Sequence, residues 1–217
     1  IITLDEVDST NNYLKLNRGE LPDGTLVTAR IQTAGKGRRG HEWLADQGML
    51  PLSLLLKQPP HPDTLTLCAG VAVCEALEPL LPGEELGIKW PNDIILHGHK
   101  LCGILCESVC FGSSMDIVCG IGVNLAQTAE FFEKANIPHG GSVEMLTGVT
   151  INDRDKLAED IAERLYSYSR SGFESVREKY VKRCLTVGKK IRIIENGSER
   201  EAFAEGIAPN GFLVLSL

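Results

Sequence analysis

Gln32-Thr33-Ala34-Gly35-Lys36-Gly37-Arg38-Arg39-Gly40 is the stretch on which the reading of this chain turns. It grows out of Thr25 to Thr33, a run rich in Thr, Val and Ile that predicts a strand. As letters, residues 35–40 satisfy the dinucleotide pattern G-x-G-x-x-G. A loop of that kind opens directly into an apolar helix and is followed by an acid ~20 positions on. Here the chain continues His41-Glu42-Trp43-Leu44-Ala45-Asp46-Gln47-Gly48, and Lys57-Gln58-Pro59-Pro60 stands near the expected acid. The Rossmann reading fails. A kinase glycine loop lacks its downstream His-Arg-Asp and Asp-Phe-Gly stations, and a Walker A loop lacks Ser or Thr after Gly35-Lys36. What remains is three glycines and three cations in six residues. Glycine lets backbone N–H groups crowd around an anion, and the guanidinium forks of Arg38 and Arg39 suit carboxylates and phosphates. On composition alone two readings stay open, a polyanion site and a flexible basic surface turn.

The whole chain narrows the choice of partners. Its 217 residues suffice for one substantial domain plus a small appendage, and 43% hydrophobic with 24% charged residues is the balance of a folded soluble protein. A net charge of −7 argues against general nucleic-acid binding, so any anion site must be a local concentration of Lys and Arg. No run approaches the roughly 18 apolar residues that cross a bilayer. Seven cysteines without a Cys-x-x-Cys pair read as reduced, buried thiols of a cytoplasmic protein, and no metal site is expected. His97 and His99, flanking Gly98, read as exposed turn residues. The start, Ile1-Ile2-Thr3, carries neither an initiator Met nor a signal-peptide pattern, which leaves open whether residues precede it.

Working outward from the loop, Ser9-Thr10-Asn11-Asn12 caps a short helix, and Leu50 to Leu56 is an apolar run of buried-strand length. Pro62 to Leu81 repeats Leu65, Ala69, Ala72, Ala76 and Leu80 at helical spacing and is apolar almost all round, which predicts burial against a sheet. Leu86 to Lys89, Ile94 to Leu96, Leu101 to Val109 and Met115 to Asn124 read as strands, joined by short turns as in an antiparallel sheet. Between Leu125 and Val149 only a helix around Glu130 to Ala135 suggests itself. Asn152 or Asp153 caps a helix bearing Leu157, Ile161 and Leu165, and another helix is expected over Phe173 to Arg183. After Cys184, Lys190 to Ile194, Glu201 to Gly206 and Phe212 to Leu215 are short strands separated by Asn196-Gly197 and Asn210-Gly211, hairpin signals of a small barrel-type module.

Read with its neighbours, the glycine loop resembles the signature of biotin–protein ligases. Asp8-Ser9-Thr10-Asn11 matches that family's Asp-Ser-Thr-Asn element, and residues 32–40 match its biotinyl-adenylate loop, followed by the expected Trp43. Lys89-Trp90-Pro91-Asn92-Asp93, Lys100-Leu101-Cys102-Gly103-Ile104-Leu105 and Gly120-Ile121-Gly122-Val123-Asn124-Leu125 match three further elements in order. The resemblance spans residues 8 to 125. It implies an α/β (α+β) catalytic domain over 1–184, a mixed sheet flanked by helices, and an SH3-like module over 185–217 that stops short of a full barrel.

The resemblance also implies two half-reactions. Biotin and Mg-ATP give biotinyl-5′-AMP and pyrophosphate, and a lysine of a biotin carboxyl carrier domain then takes the biotin and releases AMP. Bringing a carboxylate to an α-phosphate sets two anions together, so cations must offset the repulsion. Arg38 on the phosphate and Lys100 bridging carboxylate and phosphate are the catalytic candidates. By similarity Ser9, Thr10, Asn11 and Gln32 meet the ureido end of biotin, whose polar atoms need partners when buried. Gly35, Lys36, Gly37, Arg38 and Lys100 complete that set, with Gly103 leaving room for the ring system. Arg38, Arg39, Gly40, His41, Trp43, Asn92, Asp93 and Asn124 are assigned to ATP. Asn92 and Asp93 serve the nucleotide or its magnesium on this reading, although Pro-Asn-Asp is equally ordinary turn chemistry. Trp90 reads as core.

Lys36 and His41 stand where many relatives carry Arg, and Pro51 replaces a more usual aromatic. Some relatives carry a DNA-binding helix-turn-helix ahead of the catalytic domain; no such segment lies in this sequence, and no DNA or membrane partner is expected. A homodimer stays open. The rival readings are a lipoate–protein ligase of the same fold, whose members lack this cationic loop, and a non-catalytic biotin sensor.

Overall fold

The run at 50–56 becomes the middle of the molecule. The computed structural model describes residues 1–40, 42–44, 46–112, 114–195 and 197–216, and of Arg39 and Glu195 the backbone alone. His41 and the Asn196 half of the expected Asn-Gly turn therefore lie outside the described residues. Seven strands form the main sheet: β1 (Ile2–Val7), β2 (Leu26–Gln32), β3 (Met49–Leu56), β4 (Gly87–Lys89), β5 (Asp93–Leu96), β6 (His99–Phe111) and β7 (Ser114–Asn124). Their order is β1-β2-β3-β7-β6-β5-β4, with β1 and β2 parallel and every other pair antiparallel.

Strand β3 is apolar without alternation because both of its faces are covered. Leu50, Leu52, Leu54 and Leu56 join the large core cluster beneath helices α2 (Leu65–Leu77) and α5 (Arg154–Ser171). Leu55 turns the other way and meets Leu14 of α1 (Thr10–Asn17), with Val27 and Val118, in a smaller cluster. Helix α2 is wrapped by the sheet, α5 and α6 (Arg177–Arg183), which explains its apolar circumference. The expected caps are present: Ser9 accepts from Asn12 N at 3.4 Å and Asp153 from Lys156 N at 2.9 Å.

Several expectations need correction. Strand β1 carries no apolar run; it is an edge strand with Thr3, Asp5 and Glu6 exposed or nearly so, and only its parallel pairing with β2 makes it a strand. The segment 62–81 is helical only from Leu65 to Leu77, with single 3-10 turns on either side, Pro79 sitting in the second. The region 173–183 likewise splits into a 3-10 turn, Phe173–Ser175, and α6. In the stretch that was hard to read, α3 (Ala129–Lys134) is joined by α4 (Val143–Thr147), whose cap Ser142 and left-handed Gly148 are ordinary helix punctuation. Of the cysteines, Cys110 is exposed and Cys106 and Cys184 are half-buried. His97 is exposed and pairs with Glu84 at 2.6 Å, whereas His99 is half-buried with Nδ1 3.1 Å from the Gly140 carbonyl.

The C-terminal strands β8 (Lys190–Glu195), β9 (Ser198–Ile207) and β10 (Leu213–Ser216) form a three-stranded antiparallel sheet in the order β10-β9-β8. It is tied to the main body through Arg177, whose guanidinium donates to the Ile207 carbonyl at 2.8 Å, and through Trp90. Trp90 is half-buried against the core, as expected in part, and its indole N–H donates to Gly211 O at 3.1 Å. Thr186 Oγ1 accepts from Trp90 N at 3.0 Å. Among the described residues no helix is long and apolar enough to cross a membrane.

Leu54 is 1% exposed at the centre of the sheet. Leu54→Ala is expected to lower unfolding free energy by about 2–5 kcal/mol, measured by urea denaturation.

Candidate active site

Side chains in a regular strand alternate, so Lys100 and Gly103, three apart, belong on opposite faces. They share one face because β6 carries a bulge. Asp93 pairs with Gly103 and Ile94 with Cys102, but Ile95 pairs with Lys100, leaving Leu101 as an extra residue. Leu101 and Cys102 are consequently both buried in the core, and Lys100 swings onto the face that carries Gly103 and Asp93. Its Nζ lies 2.7 Å from Asp93 Oδ1 and 5.1 Å from the centre of the Trp43 ring. Its backbone is pinned as well: Lys100 N donates to His139 O at 2.6 Å, and Gly141 N donates to Lys100 O at 3.1 Å.

The cationic loop folds over this face. The backbones of Lys36 and Glu42 form an isolated antiparallel β-bridge across the loop, and Trp43 N donates to Gly35 O at 3.0 Å. Glycine is required at 35, where a Cβ would stand 2.6 Å from Gln32 Nε2 and closer still to the Trp43 carbonyl. Arg38 donates to Asn92 Oδ1 at 3.0 Å, while Asn92 Nδ2 donates to Ile104 O at 3.1 Å, so one asparagine fastens the loop arginine to β6. Lys36 Nζ reaches Asn12 Oδ1 at 3.1 Å. Gly40 adopts the left-handed conformation, φ 78°, that ends the turn begun at Arg38.

Two cavities meet here. A narrow slot of about 60 Å³ is lined by Ser9, Thr10, Asn11, Gln32, Gly103 and the wall residue Pro51, among others. A wider cavity of about 760 Å³ is lined by Trp90, Asp93, Asn124, Phe131 and Phe132, among others. Gly37, Arg38, Trp43, Asn92 and Lys100 line both. The two candidate cations thus stand at the seam between the cavities.

The slot's floor is polar and buried. Ser9, Thr10 and Asn11 are each less than 5% exposed. Gln32 Oε1 accepts from Thr10 N at 3.1 Å and from Thr10 Oγ1 at 3.2 Å. Beneath them Ser53 Oγ, fully buried in β3, lies 2.8 Å from Thr10 Oγ1 and 2.6 Å from Asn11 Oδ1. Ser53 escaped the sequence reading, although a lone hydroxyl inside Leu50–Leu56 was its visible trace. Glu107 and Lys15 escaped too: they pair at 2.8 Å behind Asn11. The adjacent aromatics Phe131 and Phe132, edge to face at 5.3 Å, lie within the helix expected around Glu130 to Ala135 but were not singled out as site residues.

Three residues differ in setting from expectation. The space that Gly103 leaves is filled by Trp43 itself, since a Cβ at Gly103 would stand 2.7 Å from the indole and one at Gly122 2.5 Å from its nitrogen. Trp43 therefore lies across β6 and β7 and forms a wall of both cavities. Asn124 is buried, with its amide nitrogen donating to the Lys100 and Gly141 carbonyls and its oxygen accepting from Gln127. It braces the backbone of Lys100. Asn92 engages both ends of its amide with protein groups, as above. The described residues contain no group of three or more His, Cys, Asp or Glu side chains arranged to hold a metal ion. A magnesium ion there would have to draw its ligands chiefly from phosphate oxygens and water.

Burial pushes the Glu107 carboxyl up, but hydrogen bonds from Lys15 and Asn11 and the charges of Lys15 and Lys36 outweigh it, and the net shift is downward. A carboxylate depressed in the folded state adds stability above its unfolded value and loses it as pH falls through the folded one. Acidification below about pH 4 is expected to cost the wild type more stability than Glu107→Gln, as read from urea midpoints across pH. Gly103→Ala is expected to displace Trp43, shift its fluorescence and cost about 1–3 kcal/mol of stability, since the site is already filled.

Comparison with known proteins identifies the family and the fold. Residues 4–124 match the model of the biotin/lipoate A/B protein ligase family. A biotin–[acetyl-CoA-carboxylase] ligase of Paracoccus denitrificans is 36% identical over 225 residues, covering 98% of this chain and 92% of that protein. The bifunctional ligase/repressor BirA of Salmonella typhimurium is 31% identical over 224 residues, covering 99% of this chain and 69% of its own length. The biotin protein ligase of Aquifex aeolicus, solved in complex with biotin and ATP, superposes with a TM-score of 0.81 at 28% identity, covering 99% of this chain and 90% of that one. The chain belongs to the biotin/lipoate A/B protein ligase family, on the fold of its biotin protein ligases.

Proposed function

We propose that the protein is an ATP-dependent biotin–protein ligase. The observation that carries this reading is the junction of the two cavities at Arg38 and Lys100. The slot, floored by hydroxyls and amides, suits the uncharged ureido head of biotin, and the valeryl carboxylate then points toward the seam. The wider cavity takes Mg-ATP, with Trp43 and Phe131 as aromatic surfaces for the base. At the seam a carboxylate oxygen attacks the α-phosphorus; a C–O–P bond forms, the P–O bond to the β-phosphate breaks, and pyrophosphate leaves. The neutral amine of an acceptor lysine then attacks the mixed anhydride, forming an amide and releasing AMP and a proton.

The chain's own residues supply positioning and charge. Arg38, held by Asn92, faces the phosphate, and Lys100 stands where the carboxylate and phosphate meet. Lys100 Nζ lies 2.7 Å from Asp93 Oδ1, and substrate oxygens at the seam replace or share that partner. Preorganised cations of this kind stabilise charge developing in the transition state without rearrangement cost. The relatives support the same substrates: the Aquifex protein is a biotin protein ligase solved with biotin and ATP, and the Paracoccus one is a biotin–[acetyl-CoA-carboxylase] ligase. A biotin carboxyl carrier domain is the acceptor on this reading.

The test is ATP-dependent incorporation of biotin, with lipoate in parallel, into a carrier domain. Incorporation of biotin alone is expected; lipoate transfer without biotin transfer points to the other branch of the family. Lys100→Ala should cut biotin-dependent pyrophosphate release by about a hundredfold or more, with biotin binding still measurable. Wild-type turnover in that variant removes Lys100 from the chemistry. Arg38→Gly should release activated biotin into solution faster than wild type, read by hydroxylamine trapping.

A further inference from the structure

Two thiols meet inside the main sheet. Cys106 of β6 and Cys119 of β7 are direct partners in the antiparallel register, and their sulfurs lie 3.1 Å apart. Directly opposite residues of such a ladder have Cα atoms about 4.5 or 5.5 Å apart, and a disulfide spans about 4.4–6.8 Å. Either separation fits. An S–S bond measures about 2.0 Å, so closing it asks for about 1 Å of side-chain movement and no change of register.

The two sulfurs differ in setting. Cys119 is fully buried, with Leu54 of β3 as its partner on the other side. Cys106 is half-buried. Strand β5 pairs with β6 only as far as Gly103, and among the described residues no strand replaces it beside Cys106. Either thiol can donate to the other, but Cys106 gives up its proton the more readily. Hydrogen bonds from the Cys119 thiol and from Thr66, in the first turn of α2, together with the charge of Arg38, outweigh burial and hold the Cys106 thiol below its ordinary value. Its bond to Cys106, and then burial, push the Cys119 thiol well up. Cys68, also on α2, is buried, which pushes its thiol up to about 12.

We propose that Cys106 and Cys119 are an oxidation site, closing to a reversible disulfide when the protein meets a hydroperoxide, with Cys106 attacking and Cys119 resolving. The Cys106 sulfur bonds to one peroxide oxygen, the O–O bond breaks, and the other oxygen leaves as water or an alcohol with the Cys106 proton. The Cys119 sulfur then attacks the sulfenic sulfur, the S–O bond breaks, and the hydroxyl departs as water with the Cys119 proton. Two thiols are oxidised by two electrons in all, and the peroxide is reduced by the same two. The resolving sulfur already touches the attacking one, so the sulfenic stage is brief. Leu105, next to Cys106, and Gly120, next to Cys119, line the slot, so the bond staples the ribbon that walls it. A disulfide that comes and goes is the form such a bond takes among otherwise reduced thiols. The inference stands on the sheet and is independent of the biotin reading.

The test treats the reduced chain with hydrogen peroxide, alkylates it in urea with iodoacetamide, and maps the peptides. Of seven alkylatable thiols two should be lost, with one peptide pair joined through Cys106 and Cys119, and dithiothreitol should restore all seven. Cys110 is the exposed competitor, so Cys110→Ser should give the same link. In Cys119→Ser the Cys106 sulfenic acid should persist and be trapped by dimedone. Peroxide that oxidises Cys110 and leaves Cys106 and Cys119 fully alkylated overturns the inference, as does a link from Cys106 to Cys68 or Cys110. The wild-type map decides by itself, so a variant that fails to fold does not shield the proposal.

Discussion

Strand alternation is the constraint on which this site depends, and one surplus residue resolves it. A regular β6 would send Lys100 into the core with Cys102 and Ile104, where an ammonium without a partner is prohibitive. The bulge at Leu101 lets two consecutive apolar residues face the core and rephases the strand before it. Everything at the seam follows from that shift: the ion pair with Asp93, the approach to Trp43 and the brace from Asn124. The backbone of Lys100 is also bonded on both sides to the segment around Gly140, so the rephased residue is held by the main chain and by its side chain alike.

The site is assembled from parts with unlike mechanical character. Ser53, Thr10 and Asn11 sit on a strand and a helix start, deep and well bonded. Arg38 sits on a glycine-rich loop fastened at few points, chiefly Asn92, Asn12 and the backbone bond between Trp43 and Gly35. The floor is thus held by many bonds and the cationic loop above it by few.

Legibility in the sequence followed the range of the interactions. The loop and the boxes around Asp93 and Lys100 were readable because glycine, cation and turn residues carry their chemistry locally. Strands β3, β6 and β7 were readable from apolar runs, and α2 from its all-round burial. Strand β1 was not, since its identity lies in pairing with β2 rather than in its own residues. The bulge was invisible because Leu101 is extra only relative to β5. Ser53, Lys15 and Glu107 were missed for the same reason: Ser53 and Glu107 meet Asn11, and Lys15 meets Glu107, across long stretches of sequence, and alone each looks like an interrupted core strand or an ordinary surface charge. Trp43 was placed near the nucleotide, while its packing on Gly103 and Gly122 needed the fold.

The indole of Trp90 reaches across to Gly211 while its neighbour Asn92 fastens Arg38. The short box from Trp90 to Asn92 is therefore shared, one member bonded to the terminal segment at Thr186 and Gly211 and the other to the loop arginine. Any displacement of that segment is thus felt two residues from the seat of Arg38, although the two lie far apart along the chain.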